Sequence, residues 1–376
     1  MHLARYGASE HRVPVEDDEE PGVQRVSSNC SEGSWSSVTS CVNTRAAAST
    51  QPADSSQQFG PSRFYGEYHG HKITDLEYLL PILRGESARS VVWLVGDSTL
   101  DNKYWLPALR GSQHKPCCGY EKVLSRVVPD VAFWVNKAIC DRGNEGGTCC
   151  INTAIEESTL ADRAGDALME QDVFVRDHMQ PQDTLVVSVG GNDVALRPSV
   201  STIVNMLLLT RSPTALIRSG LAPGTAHFIR MFREATVAFV RKLIGKSKPK
   251  RVVVCTLYFL DVTPGGSWAD ATLARLGYDR NPSKLQEAIR MIHALAHSTI
   301  RDIEGVEVVP IAFFKQMDGT DPADYAQRVE PSIQGGEKMG KQIAEAVFEQ
   351  RPEHGWPGER GGVSFGEEGK FTCSIS

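Results

Sequence analysis

Short apolar runs recur along the chain, each ending in a glycine or polar turn and each followed by a stretch of helical periodicity. The runs lie at 89–95, 148–153, 184–189, 252–257 and 306–311. Near-continuous apolar runs of this length read as strands buried on both faces, the signature of a parallel sheet. Helical patterns lie between them, over 73–83, 102–110, 119–127, 158–178, 225–244, 282–297 and 334–349, with Pro282 suited to a first turn. The apolar stretch Val131 to Val135 reads as an extra strand. Alternation of this kind predicts an α/β chain, a three-layer α/β/α sandwich with a central parallel sheet of about five strands in a flavodoxin-like, doubly wound arrangement. No internal repeat is visible. Two segments exceed a simple strand-to-helix loop. One is 194–221, with an apolar stretch from Ile203 to Leu209, and the other is the Gly/Pro-containing excursion 261–282. Both are candidate substrate covers.

Two of the strand ends carry chemistry. Val91 to Val95 breaks at Gly96-Asp97-Ser98, and Thr184 to Val189 breaks at Gly190-Gly191-Asn192-Asp193. A serine on such a strand-to-helix turn has its hydroxyl presented at the carboxyl edge of the sheet, near backbone N–H groups and a positive helix end. Neighbouring strands of an open α/β sheet deliver their loops to one crevice, so Ser98 and Asn192 are expected to face each other. A side-chain amide there is a neutral donor for a developing oxyanion.

Gly96-Asp97-Ser98 with Asp101-Asn102, and Gly190-Gly191-Asn192-Asp193, resemble the first and third blocks of the SGNH (GDSL-type) hydrolase superfamily, over roughly residues 65–350. The resemblance implies the three-layer fold and ester or acyl hydrolysis on serine. It makes Ser98 the nucleophile, with its own backbone N–H and Asn192 in the oxyanion hole. Two positions depart from the family. Val329-Glu330-Pro331-Ser332 puts Glu330 where the catalytic histidine is expected, and a second partial match, Asp318-Gly319-Thr320-Asp321-Pro322, puts Asp321 there. In the second block Glu157 stands where the oxyanion glycine belongs.

A serine needs a partner to take its proton. A free Glu, with a pKa of about 4.3, is a poor base near neutrality. Burial, or the charges of Asp318, Asp321 and Asp324, would raise that of Glu330. Among the histidines, His69 and His71 precede the first strand, His178 precedes the third, and His293 and His297 end a helix expected to run away from the catalytic edge. All five read as surface or packing residues. His227, near the start of the helix after the 194–221 excursion, is a candidate relocated base or substrate contact.

Composition narrows the classes further. A net charge of −6 over 376 residues argues against a dedicated nucleic-acid binder. No apolar stretch approaches the roughly 18 residues of a membrane span. Residues 1–60 are rich in Ser and acidic groups and are expected not to fold alone, and the stretch from 351 reads as a frayed tail. With Glu16 to Glu20 in place of an apolar leader, a cytoplasmic chain is the default reading. Cys117, Cys118, Cys140, Cys149 and Cys150 read first as reduced thiols, with a disulfide between the 117–118 and 140–150 loops or a zinc site as alternatives. No cofactor motif is present, and oligomeric state is not legible. The leading expectation is a serine hydrolase of an ester or acyl-linked small molecule. The rivals are a binding protein that has lost its chemistry and an acyltransferase using the same serine.

Overall fold

The computed structural model describes residues 60–107 and 114–349. Residues 1–59 and 350–376, where the Ser-rich segment and the tail are expected, lie outside them. In chain order the first half contains α1 (Pro61–Phe64), α2 (Ile73–Arg84), β1 (Ser90–Gly96), α3 (Val131–Asp141), β2 (Thr148–Asn152), α4 (Glu170–His178) and β3 (Thr184–Ser188). Then come α5 (Gly191–Ala195), α6 (Val200–Arg211), α7 (Thr214–Arg218), α8 (Thr225–Ile229), α9 (Thr236–Leu243) and β4 (Arg251–Thr256). The chain continues through α10 (Asp270–Arg275), α11 (Ser283–Leu295), β5 (Asp302–Ile303) and β6 (Val306–Ala312). It ends with β7 (Tyr325–Ala326), β8 (Glu330–Pro331) and α12 (Ile333–Phe348).

The main sheet has the order β2-β1-β3-β4-β6-β5. All its pairs are parallel except the two-residue edge strand β5. One layer of helices pairs α3 with α12 and the other joins α2, α4 and α9, giving the expected α/β/α sandwich. The chain reverses its direction of travel across the sheet at β1, so the loops after β1 and β3 diverge over a crevice at the carboxyl edge. A smaller antiparallel pair, β7 and β8, stands apart from this sheet.

Several local expectations fail for identifiable reasons. Val131–Val135 is the start of α3 and not a strand. Asp130 caps it, accepting the Phe133 N–H at 2.8 Å, and this cap outweighs the β-branched and aromatic run that reads as a strand. The helix expected at 119–127 shrinks to a 3₁₀ turn at Tyr120–Lys122, and the described part of that expected at 102–110 holds a 3₁₀ turn at Lys103–Trp105, residues 108–110 lying outside the described residues. Over 158–178 only the second half is α-helix. The first half is pinned as a loop, because the Asp193 carboxylate takes the Leu160 and Ala161 N–H groups and buried Arg163 pairs with Asp172.

The 194–221 excursion is helical, as α6 and α7, and packs with α8 and α11 into a cap over the carboxyl edge. The cap has its own apolar core, including Met206, Leu209, Ile217, Phe228, Phe232 and Ile292. Its last helix reaches the sheet through a π-helical turn, Arg230–Ala235, that separates α8 from α9. No helix among the described residues is long and apolar enough to cross a membrane.

Candidate active site

The turn that carries Ser98 depends on a close approach of two strands. Gly96 (φ +147°) is in register with Ser188, and a Cβ on Gly96 would lie 1.8 Å from the Ser188 carbonyl oxygen. Only glycine fits there. Its carbonyl accepts hydrogen bonds from the Ile155 N–H, the Ser158 hydroxyl and Arg163. The Asp97 N–H donates to Ser188, and the Asp97 carboxylate accepts the Thr99 N–H at 3.1 Å. Ser98 follows, 8% exposed, at the bottom of the crevice.

The facing turn from β3 brings Gly190 (φ +99°) against the Phe232 ring, and Gly191 beside Asp97. Asn192 Nδ2 donates to the Ser158 carbonyl at 3.0 Å. This bond orients the amide and uses one of its two N–H groups. Asp193 caps the 160–161 amides and serves as a scaffold for the loop.

Glu330 reaches the same crevice from the opposite side, on the β7–β8 hairpin. The hairpin turns through Gln327 (φ +52°) and Arg328 (φ +66°). Buried Arg328 anchors the turn through Asp270 at 2.7 Å, Asp279 at 3.0 Å and the Asp261 carbonyl. On either side of Glu330, the Tyr258 hydroxyl bonds the Val329 carbonyl at 2.5 Å and Asn102 Nδ2 bonds the Pro331 carbonyl at 3.0 Å. The Glu330 side chain is 4% exposed, and its Oε2 finds no donor among the described residues. Burial, with the charges of Asp97 and Glu157 added, pushes its pKa up to about 8.

The expected neighbours of Glu330 do other work. Asp321 accepts the Ala323 N–H and Gln334 Nε2, Asp324 pairs with Lys338 at 2.7 Å, and Asp318 accepts the Thr320 N–H. These residues brace the start of α12, and the charges that bear on Glu330 come from the first and second motifs instead.

Sequence reasoning missed Glu156. It is 3% exposed, its Oε1 accepts from Trp105, and its Oε2 has no donor among the described residues. Burial, then the Glu330 and Asp101 charges, hold its carboxyl well above the ordinary range. Burial also lifts Asp97, to about 6. Glu157 sits at φ +61°, a conformation that favours glycine and so accords with the motif position assigned to it. Its carboxylate accepts the Tyr68 hydroxyl at 3.0 Å. Burial thus favours the protonated form of both Glu330 and Glu156.

Ser98, Asn192 and Glu330 all line one cavity of about 130 Å³. Its far wall is apolar and belongs to the cap, with Met206, Leu209, Phe228, Phe232 and Ile292, while Leu273 of α10 and Trp268 also line it.

No histidine among the described residues lines that cavity. His227 bonds Thr202 and, more weakly, Ser201, tying α8 to α6 within the cap. His69 and His71 are on the catalytic edge and not the opposite one, because they precede α2, which runs back across the molecule before β1 begins. His69 bonds the Glu156 carbonyl at 3.1 Å, while buried His71 stacks on Phe64. His293 and His297 both bond Thr256 at the carboxyl end of β4, again on the catalytic edge. His297 packs behind Phe232, so the packing reading holds for it.

The cysteines lie elsewhere. The described ones are free, with the Cys118 and Cys140 sulfurs 3.0 Å apart and Cys117 beside them, while Cys149 and Cys150 are buried in β2. Among the described residues that trio is the one cluster whose ligand atoms converge closely enough for a metal ion.

The chain is similar to esterases of known structure. They include a carbohydrate esterase family 3 enzyme from Talaromyces cellulolyticus, at 13% identity over 69% of this chain and 96% of that one, with a TM-score of 0.34. A carbohydrate acetylesterase from Sinorhizobium meliloti matches at 15% identity over 69% and 98%, TM-score 0.36. A catalytic mutant of an acetylxylan esterase from Geobacillus stearothermophilus matches at 12% identity over 69% and 95%, TM-score 0.38. The sequence matches no protein-family model and no curated protein. At this level of similarity the chemistry has to be argued from the chain's own residues.

Proposed function

We propose that this protein hydrolyses esters by covalent catalysis on Ser98. The observation that carries the reading is the convergence of Ser98, Asn192 and a buried Glu330 with an unbonded carboxyl oxygen on one cavity. In its ionised form Glu330 takes the Ser98 hydroxyl proton as the oxygen attacks the ester carbonyl. Asn192 and the Ser98 backbone N–H hold the oxyanion. The alcohol leaves with the proton from Glu330, and water, activated by the same carboxylate, releases the acid and restores the serine. A pKa near 8 makes Glu330 a far better base than a free carboxylate, because proton transfer is most effective when the base titrates near the working pH. The acyl group occupies the apolar cavity, where it is shielded while bonded to serine. The alcohol departs toward the polar side.

A second reading has one observation in its favour. At neutral pH Glu330 holds its proton, so the pocket at that pH suits binding more than turnover. Labelling with a fluorophosphonate across pH 5 to 9, followed by peptide mapping, separates the two. Hydrolysis on Ser98 gives a label on that residue that rises through pH 8, and Ser98→Ala abolishes both label and ester turnover, a loss on the order of a thousandfold or more, with the melting temperature unchanged. A folded protein that never labels, yet binds an acyl ligand stoichiometrically, supports the binding reading. Ester consumption that rises with added alcohol supports acyl transfer.

A further inference from the structure

The cap differs from the rest of the molecule in charge and in what it exposes. Residues 194–233 contain Arg197, Arg211, Arg218, Arg230 and Arg233 and no Asp or Glu, in a chain of net charge −6. Arg197 and Arg218 pair with acids outside this stretch, Asp162 and Glu287. On α6 the exposed residues Val200, Ile203, Val204, Leu207 and Leu208 repeat at the spacing of one helix face. Arg211 continues the same row. The opposite face of α6 puts Met206 and Leu209 into the lining of the Ser98 cavity. Leu216 and Leu221, exposed on and just after α7, extend the apolar surface. One helix thus separates an apolar cavity from an apolar outer row that ends in Arg211.

We propose that this outer face of the cap docks on an anionic lipid surface, from which the acyl chain of a lipid ester enters the cavity. The docking stands on the surface alone, while the entry of the ester rests on the reading of Ser98 as nucleophile. A contiguous exposed apolar patch marks an interaction site. The charge decides the occupant. A second copy meeting this face would bring together two stretches that each carry arginines and no acidic residue. An anionic bilayer accepts both features at once, with the apolar row at the acyl boundary and the arginines among the headgroups.

The test is flotation of the full-length chain, as Ser98→Ala to keep the lipid intact, with phosphatidylcholine vesicles with and without phosphatidylserine. Binding is expected with phosphatidylserine, weaker without it, and weakened by salt. Leu207→Asp with Leu208→Asp should lower partitioning by about tenfold or more, and Arg211→Glu by about fivefold. In the wild-type background both variants should hydrolyse a soluble short-chain ester unchanged. Three outcomes would overturn the docking: no flotation with either lipid, flotation indifferent to these substitutions, or self-association abolished by Leu207→Asp in a protein that ignores vesicles. Vesicle binding by a wild-type protein that turns over no ester would leave the docking standing and sink the hydrolase reading. Turnover of soluble esters without vesicle binding would do the reverse.

Discussion

The sheet edge and the cap meet at one cavity but are held by different forces. At the edge, polar groups are locked by directional bonds. The hairpin that carries Glu330 is fixed by Tyr258, Asn102 and Arg328, and the Ser98 turn is fixed by Ser188, Thr99 and the absence of a side chain at Gly96. The cap closes mainly by apolar packing around Met206, Phe228 and Phe232. On the proposed function, the difference follows from two tasks. A nucleophile and its base must keep fixed distances and angles, which hydrogen bonds specify. A wall for a hydrocarbon chain needs shape and dryness, which interchangeable apolar side chains supply. Substitutions at the edge should therefore be all-or-none, and those in the cap should be graded.

The largest effect is expected at Gly96. Gly96→Ala drives a methyl group into the Ser188 carbonyl and should cost about 4 kcal/mol or more. The control Gly265→Ala, which faces open space, should stay within about 0.5 kcal/mol. Urea unfolding of both reads the difference, and a Gly96→Ala protein of ordinary stability would mean that the two strand ends do not approach as described.

Glu330→Gln comes next. It should lower ester turnover by on the order of a hundredfold or more and remove the rise of activity through pH 8. Its effect on stability has a fixed sign. The folded state holds a proton on Glu330 up to about pH 8 that the unfolded chain releases near its ordinary value of 4.5. The wild type therefore loses stability as pH rises between those values. The variant lacks this term, so it should match the wild type below pH 4 and melt higher than it at pH 8.

Smaller effects belong to the cap. Ala288, 3% exposed, lines the cavity. Ala288→Phe should cut turnover of long-chain esters by about tenfold and leave acetate esters unaffected. A uniform loss over all chain lengths would mean that the cavity does not hold the acyl group. Last, His227→Ala removes the bonds to Thr202 and Ser201 and should cost about 1 kcal/mol of stability, with turnover per folded molecule unchanged. Loss of turnover there, comparable to that of Ser98→Ala, would restore His227 as a candidate base.

Legibility in the sequence divides along the same line. The sheet strands and the turns at Ser98 and Asn192 are readable because an apolar run ending in glycine has few other uses. Glu330 is readable from its position between Val329 and Pro331-Ser332. The rest depends on contacts between distant segments. Glu156 sits beside Glu157 in the second block without any local sign that it is buried, and nothing around Arg328 announces that it fixes the hairpin. His69 is misplaced by a rule about strands alone, which overlooks the helix between it and β1. The Val131 run is read as a strand because its β-branched and aromatic residues outweigh, to the eye, a single capping aspartate at 130.

The π-helical turn at 230–235 has a consequence for how the cap is aimed. A wide turn of this kind holds one residue more than an α-helical one. Phe228 before it and Phe232 within it are set toward the cavity. The face after it, with Phe239 and Val240, is set toward the sheet. The surplus residue changes the phase between them by about 100°, one residue's rotation. Removing one residue would leave every other side chain intact and still turn the ceiling of the cavity away from its floor. The cap is geared to the catalytic edge by a count of residues as well as by the fit of its surfaces.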